Sequence, residues 1–182
     1  MTTQGIEGNV TKVNLIKFDE VDVHVDYALS RDGKIQFGQF DFIHPDIIKP
    51  GGFQILEGFN LEIVKIILLS PDQEVTPVDV WANLNMISLR PILLTETFFL
   101  AQKFEPPEGV LTKVLSLGTV SSGQATCFKS ELTGSARRKK TLELFPFQST
   151  LDPSFLIAAV EFKKQPFVQS AHSKEQISLS DN

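Results

Sequence analysis

The sequence predicts an all-β fold, an antiparallel β-sandwich or jelly roll of about ten strands. Three observations carry that prediction. Apolar and polar residues alternate with a period of two, most plainly in Val21-Asp22-Val23-His24-Val25-Asp26-Tyr27, as strand side chains pointing to opposite faces require. Turn-forming Gly, Pro, Asn and Asp interrupt the chain at intervals of roughly eight to fifteen residues, and no segment sustains a 3.6-residue period. Finally, 15 Phe accompany one Trp and one Tyr, a surplus of rings without polar atoms that suits a thick β core.

Taken in order, the apolar residues Val10, Val13, Leu15 and Phe18 break parity, so a strand over 9–18 carries a bulge or changes face. The next strand, 21–29, is expected to pair with 34–42 as a hairpin across Ser30-Arg31-Asp32-Gly33, with Gly38 marking a bulge in the second strand. His44-Pro45-Asp46 and Lys49-Pro50-Gly51-Gly52 read as loop, because Pro lacks a ladder donor and Gly tolerates positive φ. Strands follow at 53–57 and 61–69. The second is almost continuously apolar and rich in β-branched Ile63, Val64, Ile66 and Ile67, which points to burial on both faces.

Alternation of Val78, Val80, Ala82, Leu84 and Met86 against Asp79, Trp81, Asn83 and Asn85 predicts a strand over 78–89. The apolar run past Arg90-Pro91 predicts another over 92–104, closed by the loop Glu105-Pro106-Pro107-Glu108-Gly109. Segments 110–120 and 124–132 form a second hairpin across Ser121-Ser122-Gly123, and the glycines from Gly118 to Gly123 are read as turn residues. The basic run Arg137-Arg138-Lys139-Lys140 is expected as a solvated loop, and strands at 141–147 and 155–162 complete the core. Past Pro166 the chain turns to Ser, Gln, Lys, Glu and Asp, predicting one all-β domain over 1–166 and a mobile polar tail over 167–182.

Charge and cysteine content bound the partners. A net charge of −5 and a pI near 5.2 give no global attraction to phosphate backbones. Nucleic acid is therefore disfavoured, with the 137–140 basic loop the one place where it would be touched. The opening residues carry no basic and apolar signal-peptide pattern, and the apolar runs at 63–69 and 92–100 are too short to span a bilayer as helices. Cys127 is the single cysteine and is expected to be a buried structural thiol, which favours a reducing setting, cytoplasmic or within an intracellular particle.

No catalytic or cofactor signature accompanies this pattern, and no cofactor is expected. Asp22, His24 and Asp26 project from one strand face and form a candidate metal set, with His44 a further ligand if the fold brings it near. Same-face positions two apart lie nearly 7 Å apart at ~3.3 Å per residue, so a solvated face that keeps a strand edge from aggregating competes with that reading. Arg137, Arg138, Lys139, Lys140 and Trp81 are candidate interaction residues. The leading functional expectation is a non-enzymatic structural or protein–protein interaction module that self-associates as a virion-like particle subunit, with a second copy of the chain as partner. The alternatives are a β-barrel that binds a small apolar ligand and a metal-dependent enzyme built on Asp22, His24 and Asp26.

Overall fold

The computed structural model describes residues 12–133 and 137–161; the expected tail at 167–182 lies outside them. Of this structure 46% is strand and 22% helix, in one mixed sheet of eight strands that does not close. The mostly-β class therefore holds, while two packed antiparallel sheets of about ten strands are replaced by a single sheet with helices on its faces. The strands are β1 (Leu15–Asp26), β2 (Phe42–Ile43), β3 (Leu61–Pro71), β4 (Leu89–Pro91), β5 (Thr112–Ser121), β6 (Gln124–Thr133), β7 (Arg137–Pro146) and β8 (Phe155–Glu161). They run in the order β1-β3-β8-β5-β6-β7-β2, with β4 also on β8. The β5·β8 and β2·β7 pairs are parallel and the others antiparallel.

Several expected strands are present. The hairpin across Ser121-Ser122-Gly123 forms as β5 and β6, with Gly123 at φ +71° where its lack of a Cβ is needed. The near-continuous apolar run at 61–69 becomes β3, between β1 and β8, but its first half is not buried on both faces as expected, because among the described residues no helix covers Leu61 and Ile63, which are exposed. β1 bulges between Lys17 and Asp19, close to where the broken parity placed an irregularity. Central β8 is buried along nearly its whole length because both sheet faces are covered there. Leu156, Ala158 and Val160 enter one apolar cluster, and Phe155, Ile157 and Ala159 enter the other.

Four of the expected strands do not form, and three of those segments become helices. Ser30-Arg31-Asp32-Gly33 starts helix α1 (Arg31–Gly38) instead of turning a hairpin: the Ser30 side chain accepts the Gly33 N–H and caps the helix. Gly38 therefore ends a helix, packed so closely on the Phe40 and Phe98 rings that a Cβ would lie 2.7–2.9 Å from them. After a single-turn helix α2 (Pro45–Ile48), residues 53–57 take no regular structure. The 78–89 segment is helix α3 (Pro77–Met86), capped by Thr76 with Pro77 in the first turn. Its buried Val80 and Leu84 lie four residues apart, so the same apolar residues that alternate also make a helical stripe. The 92–104 segment is helix α4 (Leu94–Lys103), buried from Leu94 through Ala101. A helix enclosed all round shows no amphipathic period, which is why its sequence resembles an interior strand.

Helices α1 and α4 cover one face of the sheet and α3 covers part of the other. Phe53, Phe98, Phe99, Phe104, Phe128 and Phe155 are buried in the core as expected, whereas Phe18, Phe37, Phe42 and Phe59 are exposed. Phe40 meets Phe98 and Phe128 edge-to-face at 6.1 and 5.7 Å, and Phe104 meets Phe128 in the same way at 6.1 Å. The space that a barrel lumen would occupy is thus filled by rings and by α4. Gly118, expected in a turn, lies within β5 beneath Ile92, whose carbonyl oxygen would be 2.5 Å from an added Cβ and accepts the Gly118 N–H at 2.9 Å.

Candidate functional site

Three places collect the residues singled out above: the far face of β1, the groove beside α3 and the basic start of β7. On β1, Val23 and Val25 are buried with Val21 packed against them, while Asp22 and His24 are exposed on the opposite face. Across the β1–β3 ladder Asp22 faces Lys65, His24 faces Ile63 and Asp26 faces Leu61. Glu20, next along that face, takes Lys17 at 2.6 Å and Lys65 at 3.4 Å, and its hydrogen bond and charge pairing with Lys17 hold its carboxyl below the usual range. Asp26 Oδ1 accepts the Ala28 N–H at 2.9 Å. His44 caps α2, its Nδ1 accepting the Asp46 N–H at 3.2 Å. Among the described residues no group of three or more His, Cys, Asp and Glu side chains is placed to hold a metal ion. Asp22, His24 and Asp26 share a face without converging on a common point.

The apolar neighbours of this row were not legible as surface. Phe59 is 99% exposed at the tip of a loop, Leu61 is 64% exposed and Ile63 is 62% exposed. Tyr27 holds that loop: its N–H donates to the Asn60 carbonyl at 3.1 Å and its carbonyl accepts the Gly58 N–H at 2.8 Å. Period-two spacing puts Leu61 and Ile63 on the same open face as His24 and Asp26. The signal available in the sequence was Gly58-Phe59-Asn60, an aromatic held between two turn residues. β1 is the last strand on its side of the sheet, and among the described residues no strand pairs with its outer edge.

Trp81 is 47% exposed on α3. With Val78 it lines a shallow groove of about 360 Å³ whose other wall is Leu117, Gly118 and Val120 of β5 together with Phe147.

The basic segment is not a solvated loop. Arg137 begins β7, and the chain continues as strand through Lys140. Arg138 donates to the Phe104 carbonyl and to the Gln102 carbonyl at 3.2 Å, at the C-terminal end of α4. Lys140, only 4% exposed, donates from Nζ to the Gly38 carbonyl at 2.8 Å and to the Ala101 carbonyl at 3.4 Å. Both cations thus satisfy free carbonyls at helix C-termini, where the aligned peptide dipoles favour positive charge. Lys139 is exposed and lies opposite Glu131.

Two further buried polar groups escaped the sequence reading. Lys34 is fully buried and donates to the Tyr27 and Leu29 carbonyls, fastening α1 to the end of β1. Glu96, also fully buried, receives Arg90 through both terminal nitrogens at 2.5 and 2.9 Å, Tyr27 Oη at 3.0 Å and the Leu93 N–H at 2.7 Å. Burial, with the Glu96 charge beside it, raises the Tyr27 phenol above its ordinary range. Every oxygen of Glu96 is thereby occupied within the chain, and the arrangement ties the start of α4 to β4 and to the end of β1.

Cys127 is buried and its thiol is pushed up to about 12 by desolvation, so it is not poised as a nucleophile. No helix among the described residues is long and apolar enough to cross a membrane. No protein-family model matches the chain, and no curated protein and no solved structure matches it.

Proposed function

We propose that this chain is a non-enzymatic interaction module that works by self-association, as a structural subunit of a virion-like particle inside the cell. The observation that carries the reading is the open side of the sheet. Among the described residues a twelve-residue strand, β1, ends the ladder with no strand on its outer side, and the exposed Phe59, Leu61 and Ile63 border it on one face. A long edge with free backbone donors and acceptors beside exposed apolar side chains is a template for association, and folded proteins that remain monomeric generally shield such edges. The internal use of Arg138 and Lys140 supports a protein partner over a nucleic acid, because these cations already serve helix ends. The single thiol, buried at Cys127, fits a reducing setting.

Sedimentation velocity across micromolar concentrations tests the proposal. A mass above that of the 20.3 kDa chain is expected, rising with concentration. A clean monomer throughout would overturn it.

A further inference from the structure

Resting on the self-association reading, we infer that two copies of the chain join edge to edge through β1, antiparallel about a two-fold axis at Val23, so that Asp22 of each faces His24 of the other. The structure narrows the choice of partner and register. Antiparallel pairing about an axis perpendicular to the sheet keeps each strand's buried face on one side, so only registers matching residues of equal parity continue the valine row. The bulge between Lys17 and Asp19 confines regular pairing to the part of β1 that follows it.

Within that stretch the side chains on the open face are Glu20, Asp22, His24 and Asp26. Centring the axis at Asp22 sets that carboxylate against its own copy. Centring it at His24 sets Asp22 against Asp26 in both halves. Axes at Val23 and at Val25 both place an imidazole opposite a carboxylate twice, but β1 ends at Asp26, so the Val25 axis pairs only 24–26 whereas the Val23 axis pairs 20–26. An imidazole N–H donates to a carboxylate at the 4.5–5.5 Å Cβ separation typical of facing residues, about 0.2–1 kcal/mol per favourable pair in other sheets.

Glu20 then faces Asp26 at the two flanks. Like charges directly opposite weaken a ladder, and here the Lys17 and Lys65 ammonium groups that Glu20 holds offset its charge, while Asp26 accepts the Ala28 N–H and keeps its charge. The pairing supplies acceptors and donors to the outer backbone of both copies and merges two eight-stranded sheets into one continuous sheet, with helices α1 and α4 of both copies on one side. It also gives the open-face row Asp22, His24 and Asp26 a use that requires no convergence on a metal ion.

The test mixes two single variants, D22C and H24C, both at exposed positions, and oxidises them with oxidised glutathione while sedimentation is followed. Cys127 is common to both and buried, and the unsubstituted protein is the control for it. The inference predicts that the mixture forms the disulfide-linked heterodimer at least about tenfold faster than either variant forms its homodimer, because only the mixed pair places two sulfurs on directly facing positions. An oligomer in sedimentation with no preference for the mixed disulfide would overturn the β1 register while leaving self-association standing. A monomer with no disulfide would overturn both.

Discussion

Lys140 illustrates how a residue's neighbours, more than its type, decide its role. Its ammonium group is almost fully enclosed among the carbonyls that end α1 and α4, with Phe40 at 5.8 Å. Burial brings its pKa down to about 8, with Arg138 acting in the same direction and Asp41 against it. An unfolded chain holds that proton up to about 10.5, so between these values the unfolded state binds more protons and the site's contribution to stability rises with pH. Cys127 works in the opposite sense from its ordinary value near 9 up to about 12, because the folded state keeps the thiol protonated. The comparison that isolates the lysine is therefore between the wild type and Lys140→Met, followed by urea unfolding from about pH 8 to 10.5. The stability difference, wild type minus variant, is expected to grow by more than about 1 kcal/mol over that window; a flat difference would show that Lys140 is not desolvated. Nothing in Arg137-Arg138-Lys139-Lys140 reveals this burial, because it depends on two helix ends that arrive from residues 38 and 101–104.

At the scale of elements, what the sequence made legible were the strands whose local pattern admits one solution. β3 is β-branched and bounded by Pro71, and β5 and β6 flank a two-residue turn with Gly123 at positive φ. The helices were hidden for two physical reasons. In α4 burial on every side erases the periodicity, and in α3 five alternating apolar residues contain the pair Val80 and Leu84 that a helix needs. The stronger evidence for α3 lay at its start, where Thr76-Pro77 precedes Asp79: Thr76 Oγ1 accepts the Asp79 N–H at 3.2 Å and donates to Asp79 Oδ2 at 2.7 Å. Thr76→Ala is accordingly expected to lower stability by about 1 kcal/mol in urea unfolding. In a strand the same change would remove no cap, so an unchanged midpoint would count against α3. The open face at Asp22, His24 and Asp26 was legible as a face, but its place on the outermost strand was not, since strand order depends on pairings between β1, β3 and β8 that are distant in sequence.

Across the whole molecule the sheet is unevenly protected. Its centre, at β8 and β5, is covered on both faces, and its far side ends in the two-residue β2 paired to β7. The long exposed boundary is β1, with Phe59, Leu61 and Ile63 beside it. In an antiparallel ladder alternate residues of an edge strand point their N–H groups toward β3 and the others point outward. The outward set exchanges with solvent unless a partner strand covers it. Residue-resolved amide hydrogen exchange of β1, compared at low and high protein concentration, therefore tests edge pairing most directly. With β1 paired edge to edge, the outward amides between Asp19 and Asp26 gain protection as concentration rises while the inward set is protected throughout. Outward amides that exchange equally fast at every concentration, or added protection confined to α3 around Trp81, would contradict it.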